Sequence, residues 1–292
     1  MPLTATIRLS ALNLVIIDSK KQNPKTYEDL FEDLARLGRS VAVRGEQYLE
    51  LDSNLRTASG MIHGTLHRFT AVEAMNWFNT EKHRRASEAD IRAIRIPANI
   101  AANYREIPFM FHLGSHTMIF LTKSTRALVS ATQVQVFMSR SVSQGEIAQK
   151  YGDIAVTIEQ DEQELDRILQ SSNIKMLKVT VNRPNESFRR FDKQIYDRLA
   201  KMGAKSASEE YHADEEMSLK PDDDVRNKAR AAVSNGRVDA KIVTDGRVED
   251  VSTMDKPRQE RVTYNTKKET LNQAFSRGAR AILEAIIGPI DE

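Results

Sequence analysis

Cysteine is absent from all 292 residues. With it go disulfides, thiol nucleophiles and zinc–thiolate sites, each of which needs its sulfur. Net charge is nearly absent as well. The 43 Lys and Arg stand against 41 Asp and Glu for a formal +2, so the whole molecule has no pull on nucleic acid or an anionic membrane, and any such preference must sit in local patches. No apolar run approaches the roughly 20 residues that cross a bilayer. Met1-Pro2-Leu3-Thr4 lacks the charged, then apolar, start of a secretion signal. A soluble cytoplasmic protein without membrane contact is expected. Three glycine signatures are also missing: the Gly-x-x-x-x-Gly-Lys phosphate loop, the Gly-x-Gly-x-x-Gly fingerprint and the Gly-x-Ser-x-Gly elbow. Their absence removes the plainest nucleotide-binding and hydrolase readings.

What is present is an ordinary globular balance, 40% hydrophobic and 29% charged, in a chain long enough for two domains or one large one. The stretch to build around is Ile107 to Leu121. Two apolar runs flank Gly114-Ser115, a pair suited to a tight turn because glycine accepts positive φ. Folded there, His112 faces Thr117, and Phe111 and Phe109 come level with Met118 and Phe120. Both faces of this ribbon are apolar, which predicts a central place in a sheet covered by helices.

Upstream, Thr4 to Ile17 reads as a long strand. Its apolar phase shifts between Ile7/Leu9 and Leu12/Leu14/Ile16, as at a bulge. Tyr27, Leu30, Phe31, Leu34 and Leu37 recur at helical spacing up to Gly38 and predict a helix over 26–37. Residues 41–51 and 57–69 read as two strands, the second holding His63 and His67 on one polar face. Helices are expected over 72–78, with the single Trp77, and over 125–140. Strand 154–158, helix 161–170 and strand 174–181 form a β-α-β pattern, right-handed if both strands share a parallel sheet. Past Arg183-Pro184-Asn185 come a helical stripe through Ile195, Leu199 and Met202, an acidic loop over 206–221 and a helix over 222–234. A hairpin turns at Asp245-Gly246, a pair favouring the type I′ turn. Residues 261–264 offer a third strand, and a final helix carries an apolar stripe through Leu271, Phe275, Ile282 and Ile286. The expected class is α/β (α+β): a mixed β-sheet flanked by helices over 1–183, then a smaller C-terminal α+β module over 184–292.

Val181-Asn182-Arg183-Pro184-Asn185-Glu186 opens an ordered series: a helix, an acidic loop, Ser234-Asn235-Gly236-Arg237-Val238-Asp239-Ala240, then Ser252-Thr253 and Asp255-Lys256-Pro257. In the N-terminal half, Gly64 closes a strand and Ile96-Pro97 leads to the stretch from Tyr104 to Phe111. Together these resemble an uncharacterised family of bacterial proteins of about this length, across nearly the whole chain. That family has no assigned activity, so the resemblance transfers no site residue. It implies only a loose association with mobile-element and phage-defence neighbourhoods.

Three chemistries compete with plainer roles. His63 and His67 have the spacing of a helical metal pair, but on a strand it spans about 13 Å, too far for one ion at about 2 Å per bond. His112 and His116 diverge to opposite faces of their hairpin, so no metal site is expected. Pro221-Asp222 followed by Asp239-Ala240-Lys241 matches the loose pattern of Mg²⁺-dependent nucleases, where two carboxylates hold the ion and a lysine steadies water or phosphate. A solvated hairpin of alternating charge explains the same residues. Finally, Lys82, Arg84, Arg85, Arg92 and Arg95 cluster about a short polar helix, and Arg183, Arg189 and Arg190 form a second group. Arginine forks suit phosphate oxygens, and Trp77 and Tyr104 are at hand for stacking. Interspersed Glu81, Glu88 and Asp90 fit a merely solvated face. The leading expectation is a non-enzymatic binding or regulatory protein, acting in phage defence, that recognises nucleic acid or a protein partner through these basic residues without a cofactor. One alternative is the Mg²⁺ nuclease with Asp222, Asp239 and Lys241 as catalytic residues. The other is an oligomeric interaction protein whose final helix packs on a second copy.

Overall fold

The computed structural model describes residues 3–71, 77–94, 97, 99–124, 128–182 and 193–288. Of the helix expected over 72–78, residues 72–76 lie outside the described residues, while Trp77 is not helical and Phe78 belongs to a short strand. In chain order, strand β1 (Thr4–Ile16) leads through helix α1 (Pro24–Leu37) to two hairpins, β2 (Val41–Arg44) with β3 (Gln47–Leu51) and β4 (Arg56–Ala58) with β5 (Met61–Thr70). An excursion holding β6 (Phe78–Asn79), β7 (Arg84–Arg85) and α2 (Glu88–Arg92) returns as β8 (Ala102–His112) and β9 (Thr117–Lys123). Next come α3 (Ala131–Val142), α4 (Gly145–Tyr151), β10 (Ile154–Ile158), α5 (Glu162–Leu169), β11 (Ile174–Asn182) and α6 (Lys193–Lys201). The chain closes with β12 (Ser206–His212), α7 (Asp223–Asn235), β13 (Gly236–Thr244), β14 (Arg247–Ser252), β15 (Glu260–Asn265) and α8 (Leu271–Ile287).

Nine strands form one sheet in the order β10-β1-β9-β8-β5-β3-β2, with β15 beside β1 and β4 beside β5. A second sheet runs β12-β11-β13-β14. The class is α+β. The pairings of both sheets are antiparallel, where a mixed sheet was expected. The β-α-β pattern misleads because β10 joins the first sheet and β11 the second.

Strand β1 explains its own shift of apolar phase. Its residues 4–9 pair with β15, 8–13 with β9 and 12–16 with β10, and the register slips between Arg8 and Leu9. A strand with neighbours on both edges and covers on both faces has no polar side, so Leu9 through Ile16 are all buried. The central hairpin forms as expected, with His112 opposite Thr117, Phe111 opposite Met118 and Phe109 opposite Phe120. Residues 41–51 and 57–69 are each a hairpin and not one strand. The chain turns at Gly45 (φ 51°) and at Ser59-Gly60 (φ 50° and 72°).

Helix α1 starts where Asn23 accepts a hydrogen bond from the Thr26 N–H, with Pro24 in its first turn, and stops at left-handed Gly38. Its buried stripe sets Phe31 against Phe109 and Phe111, at ring-centroid distances of 5.9 and 4.7 Å. Alternation along the strands puts Met110, Ile119, Leu121 and Leu9 on the opposite face. Helix α8 covers that face. Gly278 lets it close in, since a Cβ there would stand 2.5 Å from Val262 and 3.1 Å from Leu9. The apolar stripe of α8 (Ala274, Phe275, Ala279, Ile282, Leu283, Ile286) is thus buried in its own chain's core, not left for a second copy.

The cores do not divide at 183/184. The first unites 7–158 with 262–286, and the second gathers 165–242. Residues 206–212, expected as loop, form edge strand β12 along β11. On one face of the second sheet, α5 and α7 bury Leu165, Ile168, Ala229 and Ala232 against Leu177, Val179, Val238 and Ala240. A polar seam joins the units. Asn13 Nδ2 donates to Asn235 Oδ1 at 3.0 Å, Gln160 Nε2 donates to the Gly236 carbonyl at 2.6 Å, and Thr253 Oγ1 donates to Gln160 Oε1. Asn13, Gln160, Asn235 and Thr253 are all buried.

At Gly236 the helix passes straight into strand β13, and a Cβ would lie 1.9 Å from the Thr180 carbonyl oxygen, a backbone atom that cannot rotate away. Gly236→Ala is expected to lower stability by about 1–3 kcal/mol or more in urea unfolding. A variant as stable as the parent would show that β11 and β13 are not this close.

The central turn makes a second prediction. His116, not Gly114, takes the positive φ, 54°. Its buried ring stacks on Tyr27 at 4.2 Å, and burial, then His112, pulls its pKa down to about 4. A histidine that is neutral when folded but titrates near 6.5 when unfolded makes the unfolded chain bind more protons between those values, so stability falls as pH drops from about 6.5 to about 4. The loss should reach roughly 3 kcal/mol. His116→Asn, which tolerates the same φ, should flatten that part of the pH dependence in urea titrations at pH 7 and 4.5; an unchanged slope would assign it to other groups.

Candidate functional site

A cleft of about 730 Å³ opens between the β5–β8 ladder and the first turns of α8. Arg56, His63, Thr65, Tyr104, Arg105 and Glu106 line it, with Asn272, Phe275 and Ser276 from the helix. Strand geometry brings these groups together. Arg56 pairs with His63 across β4 and β5, and His67 pairs with Glu106 across β5 and β8. Tyr104 lies two residues before Glu106 and so shares its face.

The outcome is a cluster of polar side chains beside the cleft, hydrogen-bonded from Tyr104 to His67 and Glu106 and continued by proximity to Asp52. Tyr104 Oη lies 2.9 Å from His67 Nδ1 and 3.1 Å from Glu106 Oε1, and His67 Nε2 lies 3.5 Å from Asp52 Oδ2. Asp52 is held from behind, its Oδ1 accepting from the Asn54 backbone N–H at 2.9 Å and from Asn54 Nδ2 at 3.0 Å. The Asn54 backbone donation, set against burial and helped by His67, keeps the Asp52 carboxyl below the usual range. Burial, then Glu106, pushes the Tyr104 phenol up, so it stays protonated at neutral pH. Burial, then Arg56, pushes His63 down. Exposure is graded along the chain. Tyr104 is 48% exposed, while the His67 and Asp52 side chains are 25% and 22% exposed.

Positive charge gathers at the same end of the ladder. Arg68 and Arg105 are direct cross-strand neighbours, a like-charge pairing that costs stability. Among the described residues, Arg68 Nε is buried with no hydrogen-bond partner. The basic excursion leaves and returns here, since Thr70 pairs with Ala102.

Over residues 5–280 the chain matches a family described only as a domain of unknown function, DUF4747. The protein belongs to the DUF4747 family. No curated protein matches it.

The basic residues singled out in this DUF4747 sequence have mixed placements. Lys82 Nζ and Arg84 Nη2 each lie 3.6 Å from Asp90, and Asp90 is also fixed by its capping box with Ser87. Arg84 Nη1 donates to the Arg85 carbonyl, and both arginines are exposed. The Arg92 side chain, Arg95, Arg183, Arg189 and Arg190 lie outside the described residues. Asp222 is the N-cap of α7, accepting from the Val225 N–H at 2.9 Å. Strand β13 turns Val238, Ala240 and Ile242 toward α7, so alternation sends Asp239 and Lys241 to the opposite face. There Asp239 accepts from Ser252 at 2.7 Å and pairs with Arg237, while Lys241 lies 3.9 Å from Asp250. The sheet stands between Asp222 and the other two, so the three do not converge on one ion. His63 and His67 do share a face, and His112 meets Ser115 at 2.8 Å within its turn. Among the described residues, no three His, Asp or Glu side chains gather as a metal site. Among the same residues, no helix is long and apolar enough to cross a membrane.

Sequence reasoning noted His67 as part of a polar strand face and Tyr104 as an aromatic near arginines, and missed that they touch. They are 37 positions apart, and only the β5–β8 register joins them. The alternation of His63, Thr65 and His67 was the available signal.

Proposed function

We propose that this DUF4747 protein binds single-stranded nucleic acid, seating one nucleotide in the cleft between β5–β8 and α8. The supporting observation is that a half-exposed aromatic ring, Tyr104, lines the same 730 Å³ cleft as Arg56 and Arg105. That volume falls in the range of small-ligand sites. Aromatic faces stack on any base, and guanidinium forks hold phosphates, which together give affinity with little sequence preference. Lys82, Arg84 and Arg85 extend the track, because the segment that carries them starts and ends beside the cleft. Paired with Asp90, Lys82 and Arg84 contribute less than Arg56 and Arg105 on this reading. A role in phage defence belongs to the same proposal and rests on the family resemblance alone.

Fluorescence anisotropy with a labelled single-stranded oligonucleotide at low salt tests this. Tyr104→Ala should weaken binding by about 1–3 kcal/mol. The Arg56→Glu/Arg105→Glu double variant should all but abolish it, and Arg56→Ala/Arg105→Ala should reduce the slope of log affinity against log salt by about 1.4. Failure of the wild-type chain to bind single-stranded DNA or RNA, or equal affinity in all these variants, would sink the reading.

A further inference from the structure

The geometry points to an activity at this cleft, resting on the reading above: Tyr104 is a nucleophile toward phosphodiesters, with His67 as its base and Asp52 positioning His67. The order of exposure is what such a trio needs. Tyr104 lines the cleft, its Oη lies 2.9 Å from Nδ1 of the base, and the Asp52 carboxylate lies 3.5 Å from the other nitrogen of that base. Asp52 has no freedom to turn away, because both donors of Asn54 grip its other oxygen. Arg56 and Arg105 line the same space and can oppose the charge that builds on the phosphoryl oxygens.

The step balances as follows. His67 Nδ1 accepts the phenolic proton, and the Asp52 carboxylate, 3.5 Å from Nε2, stabilises the imidazolium that forms. The Tyr104 Oη–phosphorus bond forms as the bond from phosphorus to the leaving oxygen breaks. The electron pair goes to that oxygen, which takes a proton from solvent water, and a phosphotyrosyl diester remains on the protein. Attack by water, or by the released hydroxyl, reverses the link. Glu106 sets the threshold. One hydroxyl proton cannot serve His67 Nδ1 and Glu106 Oε1 together, so Glu106 competes for the proton that His67 must take. The charged groups facing the phenol are Glu106 on its own strand, His67 on β5 and Asp52 beyond β3. A cross-strand ladder that merely satisfied itself would have no reason to react, which makes the proposal easy to separate from a structural role.

The test uses the full chain with two probes, thymidine 5′-(p-nitrophenyl phosphate) and a 5′-labelled single-stranded DNA. The small ester should release a burst of p-nitrophenolate stoichiometric with protein, and intact mass should rise by one nucleotidyl group that maps to Tyr104. Tyr104→Phe should keep the fold and lose both signals. His67→Gln should slow the burst by about 10²-fold, and Glu106→Gln should shift its pH dependence toward lower pH. The idea is wrong if the wild type gives neither burst nor adduct, if Tyr104→Phe keeps the burst, or if Glu106→Gln leaves the pH profile in place. Oligonucleotide binding without an adduct would overturn the activity and spare the binding function; an adduct with the small ester but no oligonucleotide binding would do the reverse.

Discussion

Strand β1 is the constraint on which the fold depends. Its backbone is hydrogen-bonded along both edges, to β9 on one side and to β15 and then β10 on the other. A slip of one residue would move every side chain to the wrong face, and here both faces are buried. The register break between Arg8 and Leu9 lies on the β9 edge, whereas the pairings with β15 and β10 run without a break along the other. Because β15 and α8 come from the far end of the chain, the first core cannot close until nearly all of the sequence is available.

The two cores meet through amides and hydroxyls instead of apolar side chains. Asn13, Asn235, Gln160 and Thr253 satisfy one another at nearly complete burial. Buried polar groups of this kind demand one geometry, because an unmet partner costs about 1–3 kcal/mol. The seam therefore fixes how the second sheet sits on the first, where greasy surfaces would tolerate sliding. Among the described residues it leaves the Asn13 side-chain oxygen, Oδ1, buried without a donor, since the contact with Asn235 is made by Asn13 Nδ2.

Much of the architecture was legible in the residues. Helix α1, the central hairpin, the Asp245-Gly246 turn (φ 50° and 74°) and the final helix follow from apolar periodicity and, at Asp245-Gly246, turn chemistry, which act within a few residues. The central turn, however, puts its positive φ at His116 and not at Gly114. Errors came where distant strands decide. Residues 206–212 lack a strand pattern because β12 is an exposed edge beside β11, with Glu209 and Glu210 paired to Lys228 and Lys178. Residues 41–51 and 57–69 concealed hairpins because Gly45 and Gly60 sit singly between short runs. The capping box of α8 falls at Thr270 and Gln273, although Thr266 and Glu269, four residues earlier, offer the same spacing in the sequence. The cleft was the least legible feature. Asp52, His67 and Tyr104 come from three separate segments, and nothing local marks them as neighbours.

The excursion between β5 and β8 starts and finishes on one rung of the ladder, Thr70 opposite Ala102. Closing a chain between two fixed points costs entropy that grows only with the logarithm of its length, about 0.6 kcal/mol per doubling. Insertions, deletions and wholesale replacement of these residues are therefore cheap for the scaffold, which forms the same rung in every case. Evolution can rewrite what surrounds the mouth of the cleft without renegotiating the sheet beneath it. In this architecture, diversity of recognition should concentrate in that segment while the ladder supporting it stays constant.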